Sequence, residues 1–441
     1  MKPSNYNFFF PYEPDDTKVI AYNSFSNALA LMEKDKHGTF MRFCSDNAEI
    51  NDAEFVEQLK RGNFIIDDTC NELDLLKFRM LSARYNTDSL GLTIAPTADC
   101  NFRCPYCYEK DVIKPEYMSE ETQDKIIELV ELKSGSISHF HVAWYGGEPL
   151  MAMDIIQRLS EKFIEICDKH NVTYSANLVT NGYFLTRENV EILNRLKISS
   201  IQVTMDGGRE IHNKMRPHKD GLPTFDTIID NLVASKDILP QVSLRINVDK
   251  TNISSAKEIP ALLEEKKLTE KVTTYLGKIL DENDSYDGSN CFNMCDFSQA
   301  EFRHYVENEL DLMWRYPRGV ANVCAADNIS AHIVSADGRI YKCWADIGNH
   351  SRCVGSLSAD VIANEKVFLN YMLYDSTTDK VCSKCNLLPV CMGGCPYKRL
   401  NHSGDKCTMY KFVLENYLGV IAKQIKSSME KAAQTADKGS E

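Results

Sequence analysis

Cysteine placement constrains this chain more than any other feature of its sequence. Sixteen of the 441 residues are cysteine, and they are unevenly spread. Three crowd into one loop as Cys100, Cys104 and Cys107, and eight fall between about 310 and 410. A chain that gathers thiols in this way builds disulfides in an oxidising compartment or metal sites in a reducing one. The opening stretch, MKPSNYNFFFPYEPDD, lacks the basic segment and long apolar run of a signal peptide. No stretch approaches the roughly 18 apolar residues of a membrane span. The expectation is a cytoplasmic protein with no membrane role, whose clustered cysteines are metal ligands.

Composition narrows the class further. Hydrophobic residues make up 43% and charged residues 26%, ordinary values that leave ample apolar mass for a core. The length suits roughly two to four domains. The net charge of −13, with Lys and Arg scattered among Asp and Glu, repels phosphate backbones, so nucleic acid is not an expected partner.

From Ser89 onward, strand-like runs alternate with amphipathic helices. The strand runs are 91–96, 139–146, 174–181, 200–207, 241–249 and 272–279; helical patterns occupy 119–132, 151–169, 187–196, 225–235 and 254–266. Such alternation predicts parallel strands joined by right-handed crossovers, here a partial or full β/α barrel with its chemistry at the C-terminal strand ends. The segment 1–88 reads as short strands (6–12, 18–22, 39–43) followed by helices at Asp52–Arg61 and 72–85. The domain expectation is 1–88 as a small α+β module, 89–310 as the barrel, 311–410 as a cysteine-rich domain, and 411–441 as a helix with a polar, frayed tail.

The first constellation is Cys100-Asn-Phe-Arg-Cys104-Pro-Tyr-Cys107, directly after the first barrel strand. Three thiolates can hold three corners of a [4Fe–4S] cube and leave one iron open for a chelating ligand. Zinc would want a fourth protein ligand, and no Cys or His lies nearby in sequence. This C-x3-C-x-φ-C pattern, with Tyr106 at φ, resembles the signature of the radical S-adenosylmethionine superfamily. The resemblance continues along the barrel. Gly146, Gly147, Glu148 and Pro149 look like the family's GGE element, whose backbone meets the methionyl amine. Thr180-Asn181-Gly182 resembles the element that contacts the ribose. Asp206-Gly207, His212 and Arg216 resemble a DG…H…R stretch, with Arg216 placed to pair the methionyl carboxylate. Arg245 and Asn247 are expected to face the barrel interior. The cofactors implied are S-adenosyl-L-methionine and a [4Fe–4S] cluster, and the resemblance implies catalytic roles for Cys100, Cys104 and Cys107.

The second constellation runs Cys324, Gly338, Cys343, Cys382, Cys385, Cys391, Cys395 and Cys407. Its spacings reproduce the C-x9–15-G-x4-C…C-x2-C-x5-C-x3-C…C pattern of SPASM domains. These accompany radical S-adenosylmethionine enzymes that modify peptides and proteins. The resemblance implies two auxiliary [4Fe–4S] clusters, the outer on Cys382, Cys385, Cys391 and Cys407 and the inner on Cys324, Cys343 and Cys395. Where some relatives place a fourth inner ligand, this chain has Ser330, so the inner cluster has an open iron or borrows Cys353 or another thiol. Cys291 and Cys295 lack a third partner and read as loop features; Cys44, Cys70 and Cys167 read as small buried hydrophobes.

The resemblance leads to substrate. Sulfatase maturases usually carry an acidic base right after the G-x4-C cysteine, and here that residue is Trp344, with Asp346 two further on. The departure favours the peptide maturases, many of which begin with a winged-helix-like domain that grips a leader peptide as an added strand. The expectation is a peptide maturase that links Cys sulfur to carbon in a ribosomally synthesised precursor, fed by a one-electron reductant such as ferredoxin or flavodoxin. Carbon–carbon or carbon–oxygen links, epimerisation, decarboxylation and formylglycine formation are the alternatives.

Overall fold

In the computed structural model the described residues are 1–46, 48–281, 286–322, 324–358, 364–401 and 406–438, with side chains described through 429. The chain separates into two compact units. One comprises Met1–Arg84, Met294–Val323 and Tyr374–Glu441; the other comprises Tyr85–Asn293 and Cys324–Leu373.

The first unit begins with β1 (Lys2–Pro3), β2 (Asn7–Pro11), β3 (Lys18–Asn23) and β4 (Ala28–Glu33), followed by α1 (Lys34–Asp46), α2 (Ala53–Arg61), β5 (Ile65–Ile66) and α3 (Glu72–Arg84). Strands β2, β3 and β4 form an antiparallel sheet with β3 in the middle, and β1 pairs with β5. Asp52 caps α2 by accepting from the Phe55 amide at 2.9 Å, and Gly62 ends it, as the sequence predicts. The strand expected over 39–43 is instead part of α1. Phe40, Phe43 and Cys44 fall on one helical face against Phe55, Leu59 and Phe64, so a 3.6-residue period governs where an extended one was read. Strand β4 was not foreseen.

The second unit carries β6 (Ser89–Ile94), α4 (Glu120–Ser134), β7 (His139–Trp144), α5 (Met153–His170), β8 (Thr173–Thr180), α6 (Arg187–Arg195), β9 (Ile198–Met205), α7 (Arg209–Met215), α8 (Phe225–Ala234), β10 (Gln241–Val248), α9 (Glu258–Glu265) and β11 (Val272–Lys278). The six strands are parallel and lie in sequential order, the arrangement expected of a partial β/α barrel. Leu90, Leu92 and Ile94 of β6 and Phe140, Val142 and Trp144 of β7 recur at every second residue and are all buried, so each strand turns one continuous apolar face into the core. Ser119 and Thr186 cap α4 and α6, each worth about 1 kcal/mol.

Helix α10 (Met294–Glu307) returns to the first unit. The second unit then gains β12 (Ala331–Val334), β13 (Arg339–Tyr341), β14 (Gly355–Ser356) and α11 (Glu365–Met372). Strand β12 joins the barrel sheet in parallel with β6, pairing Ala331 with Gly91 and Val334 with Ile94. This extension was not visible in the sequence. The first unit closes with α12 (Leu388–Cys391), α13 (Pro396–Leu400) and α14 (Tyr410–Lys438). Within it, Leu414 and Leu418 of α14 pack on Tyr12, Ile20 and Tyr22. The far end of the polar tail, 439–441, lies outside the described residues. No described helix is long and apolar enough to cross a membrane.

Candidate functional site

The loop after β6 carries Cys100, Cys104 and Cys107, all half-buried. The loop is anchored by its own polar groups. Thr97 Oγ1 donates to the Glu116 carbonyl at 2.7 Å and accepts from the Asp99 amide at 3.0 Å. Asp99 in turn accepts from the Cys100 amide at 2.8 Å. Burial pushes the three thiols up, Cys107 to about 12; the charge of Cys104 adds to the rise at Cys100 and Cys107, and that of Cys107 to the rise at Cys100. A thiolate at this place needs a positive charge beside it, which a metal centre supplies. Among the described residues no three His, Cys, Asp or Glu side chains converge on one metal-ion position. Thiolates on three corners of a cube bind three different irons and need no such convergence.

Gly146 and Gly147 follow β7 and press against this loop. The Glu148 amide donates to the Asp99 carbonyl at 2.8 Å. Gly146 has φ +113°, and a Cβ on Gly147 would collide with the Asp99 carbonyl oxygen, so only glycine allows the approach. Glu148 is fully buried, and both its oxygens are used inside the protein. They accept from Thr180 Oγ1 at 2.7 Å, from the Asn181 amide at 2.7 Å and from the Leu150 amide at 3.0 Å. The carboxylate thus ties the end of β7 to the end of β8. Asn181 Nδ2 extends the tie by donating to Asn101 Oδ1 at 2.7 Å, beside Cys100.

Tyr106 is the hub of the opposite side. Its hydroxyl donates to Asp206 Oδ2 at 2.5 Å and accepts from Arg216 Nη1 at 2.9 Å and Asn247 Nδ2 at 3.2 Å. Arg216 Nη1 lies 4.0 Å from Asp206 Oδ1, and its guanidinium stacks over Phe102 at 5.6 Å. Burial pushes the Asp206 carboxyl up to about 6, against the pull of Arg216. His212 is buried and held neutral by burial and the neighbouring Arg216; its Nδ1 accepts from the Asp206 amide at 3.3 Å. Arg245 Nε donates to Asn247 Oδ1 at 2.8 Å.

Four buried polar atoms in this arrangement have no hydrogen-bond partner: Arg216 Nε, Asp206 Oδ1, His212 Nε2 and Asn101 Nδ2. Buried orphan groups call for an occupant. A basic donor, an acidic acceptor and an amide donor suit a ligand with carboxylate, ammonium and hydroxyl groups, such as the zwitterionic end and ribose of S-adenosylmethionine. The donor set therefore fits the cofactor that the sequence implies.

The C-terminal cysteines divide between the units. Cys324 and Cys343 belong to the second unit; Cys382, Cys385, Cys391, Cys395 and Cys407 belong to the first. In the first unit Cys391 feels Cys407 and Cys385 as neighbouring negative charges, which places those three thiols together. Asp379 Oδ1 accepts from the amides of Val381 and Cys382, fixing the turn that presents Cys382. A Cβ on Gly394 would overlap the Lys406 carbonyl oxygen, so glycine lets the Cys395 and Cys407 segments meet. In the second unit Lys342, almost wholly buried, donates to the carbonyls of Asn328 and Ala331 and feels the charge of Cys324.

Several expected candidates are engaged elsewhere. Ser330 Oγ donates to the Asn86 carbonyl at 3.0 Å. Cys353 donates to the Gly355 carbonyl at 3.0 Å and packs on Ile333 and Tyr341. Cys167 is fully buried in α5, and Cys44 packs on the N-terminal core. Asp346 is buried, accepting from Arg352 Nε at 2.9 Å and Tyr371 Oη at 2.8 Å. Trp344 is 39% exposed and lies 4.6 Å from the Tyr145 ring. Sequence reasoning passed over Glu109, which is buried with Oε1 unpartnered and its carboxyl pushed up to about 7 by burial. Its only sequence signal was its position two residues after Cys107.

The chain is similar to known proteins in both sequence and fold. Residues 94–259 match the Radical SAM superfamily model. The chain is 23% identical over 344 residues to a cysteine-type anaerobic sulfatase-maturating enzyme of Clostridium perfringens, covering 69% of this chain and 88% of that protein. In fold it is similar to native anSMEcpe with bound AdoMet and the Cp18Cys peptide, with TM-score 0.56, 19% identity, and coverage of 76% of this chain and 99% of that one. It is also similar to Streptococcus suis SuiB bound to precursor peptide SuiA, with TM-score 0.53, 13% identity, and coverage of 92% and 98%.

Proposed function

We propose that this chain, a radical S-adenosylmethionine enzyme, is a maturase of ribosomally made peptides that joins cysteine sulfur to carbon in its substrate. Radical chemistry rests on the matched domain and the strand-end site. The observation that carries the peptide reading is the seven-cysteine spacing from Cys324 to Cys407. Two likenesses support it. The sulfatase-maturating relative acts on a protein. SuiB, whose likeness reaches 92% of this chain against 76% for anSMEcpe, was solved with a precursor peptide.

In this reading Cys100, Cys104 and Cys107 hold the radical cluster, and Gly146, Gly147, Glu148, Thr180, Asn181, Tyr106, Asp206 and Arg216 form the S-adenosylmethionine site. The bound cluster supplies the electron that cleaves S-adenosylmethionine to a carbon radical able to take hydrogen from substrate carbon. The protein's part is placement. Glu148 locks two strand ends, so the backbone of Gly146 and Gly147 is fixed toward the amine. Arg216 Nε is free to take the carboxylate, while Tyr106 keeps Asp206 and Arg216 from collapsing onto one another. Making an S–C bond from S–H and C–H releases two hydrogens. One goes to the deoxyadenosyl carbon. The other leaves as a proton and an electron, and that electron needs an acceptor. The outer set Cys382, Cys385, Cys391 and Cys407 and the inner set Cys324, Cys343 and Cys395 are the places for one.

The N-terminal segment 1–88 is assigned to the leader peptide and 311–410 to the auxiliary clusters. Three antiparallel strands with β2 and β4 at the edges, then helices, form the kind of module that accepts an added strand. A one-electron donor such as ferredoxin or flavodoxin completes the partner set. Formylglycine formation is the second reading, favoured by the Clostridium relative. Against it, Trp344 stands where a base would be, and Asp346 is tied to Arg352 and Tyr371.

The test is anaerobic reconstitution followed by reduction with dithionite and S-adenosylmethionine, with a Cys-rich candidate precursor present. About twelve irons per chain are expected, with about four lost, along with all 5′-deoxyadenosine, in a Cys100/Cys104/Cys107→Ala variant. The peptide should lose two hydrogens per link and resist fragmentation across the bridge. No 5′-deoxyadenosine from wild type would sink the radical reading; an aldehyde on a sulfatase-derived peptide, with precursors untouched, would sink the peptide one.

A further inference from the structure

A cavity of about 330 Å³ lies in the second unit, between the loop 109–116 and the hairpin β12–β13. That volume is at the low end of small-molecule sites. Of the eight residues assigned above to S-adenosylmethionine, only Gly146 and Gly147 line it. The cavity therefore adjoins the cofactor site through two glycines without coinciding with it. That is where a substrate group presented to the cofactor would sit.

Four carboxylates lie among the lining residues. Glu109, Asp111, Glu116 and Asp337 line the cavity, against Lys114 and His350. Lys114 is already paired with Glu116 at 3.0 Å, and Asp337 with Arg339. Among the described residues no cation pairs with Asp111 or with Glu109. Glu109 is the telling member. It is 6% exposed and lines the cavity; Tyr108 hydrogen-bonds to its carboxyl group, but its Oε1 has no hydrogen-bond partner. A buried carboxylate oxygen left without a donor is costly, so a protein that keeps one keeps it for a donor that arrives from outside.

We propose that this cavity is a substrate subsite for a primary ammonium group, with Glu109 as the residue that receives it. The ammonium comes from a lysine side chain or from the free α-amine of the peptide. Its three N–H donors satisfy Glu109 Oε1 and leave two for the polar wall around Asp111. Glu109 acts as a positioning residue that fixes which part of the substrate lies against Gly146 and Gly147. The inference rests on the peptide-modifying reading above.

The test is calorimetric binding to the reconstituted enzyme, anaerobically and at pH 8, with three short probes. These are acetyl-Gly-Lys-Gly-amide, Gly-norleucine-Gly-amide with a free amine, and acetyl-Gly-norleucine-Gly-amide as the neutral control. One of the two ammonium probes should bind at least tenfold tighter than the control, and which one identifies the source. Glu109→Gln should erase that preference and Glu109→Asp restore part of it, with iron content checked in each. Saturating S-adenosylmethionine should leave the preference in place. Equal binding of all three probes, or no binding of any, would overturn the proposal even if the variants fail to fold. Displacement by S-adenosylmethionine would assign the cavity to the cofactor and overturn it equally. Since 5′-deoxyadenosine formation is read separately, loss of this subsite and loss of the radical reading are distinguishable.

Discussion

The loop from Thr97 to Cys107 and the stretch from Cys382 to Cys407 both present cysteines, yet they are built in opposite ways. The first is hung on strand ends. Its backbone is bonded to Glu148 and its side chains to Asn181, while Tyr106 reaches Asp206, Arg216 and Asn247. Among its described residues the second has only short helices, α12 of four residues and α13 of five, joined through left-handed Met392, Gly393 and Gly394. Its apolar anchors are few, chiefly Leu387, Leu388, Val390 and Met392. The difference teaches that the barrel site is organised by the polypeptide, whereas the C-terminal cysteine loops lean on whatever their thiols bind. A segment of that kind folds with its metal.

Stripping the iron is the strongest way to break this contrast. In hydrogen exchange on the metal-free chain, amides over 374–407 should lose nearly all protection, while β6 to β11 stay protected. Structural metal sites carry on the order of 10 kcal/mol, which is more than a loop of this size retains without them. Equal loss in the barrel strands would mean that both regions depend on metal.

The same contrast explains what could be read from the sequence. The six barrel strands and their helices were legible because parallel β/α units repeat a local pattern: apolar run, turn, amphipathic helix. All six strand starts fall within two residues of the expectation, as at Gln241 and Val272. The glycines and Glu148 were legible through their place at a strand end. Strand β12 was not, because its pairing with β6 joins residues about 240 positions apart and no local period encodes it. Residues 39–43 were misread because Thr39 and Phe40 favour a strand in isolation, while burial against Phe55 and Phe64 sets a helical face. Glu109 was missed because an acidic residue in a loop reads as solvated until its burial is known.

Within the barrel, Arg216→Met probes how far the polypeptide itself organises the site. The change leaves Asp206 and the Tyr106 hydroxyl buried without their cation. Breaking a buried pair in this way costs about 3–5 kcal/mol, measurable as a lower urea midpoint with unchanged slope. A loss under about 1 kcal/mol would mean that the hub is solvated and the site less preformed than its hydrogen bonds imply.

Acid titration sharpens the same point with a smaller effect. The Asp206 carboxyl rises from its ordinary value near 4 to about 6 in the folded chain. The folded state therefore holds a proton that the unfolded chain has released. This contribution is fully present below about pH 4 and is lost as pH climbs through about 6, on the order of 2–3 kcal/mol. Asp206→Asn should flatten that segment of the stability–pH curve. A curve that rises between pH 4 and 6 in wild type but not in the variant would show the pair tipping Asp206 the other way.

The smallest effect tests whether cysteine identity or cysteine surroundings decides what a thiol does. Cys353 and Cys391 are separated by fewer than forty residues in the same cysteine-rich stretch, and sequence alone admits both as ligands. Their surroundings differ. Cys353 donates to the Gly355 carbonyl within an apolar nest of Ile333, Tyr341 and Ile347, whereas Cys391 lies near enough to Cys385 and Cys407 to feel their charge. Cys353→Ala removes one sulfur from a packed site and should cost about 1 kcal/mol with iron content unchanged. Cys391→Ala should instead lose about four irons. If Cys353→Ala also sheds iron, Cys353 supplies the inner cluster with the fourth thiolate that Ser330 cannot.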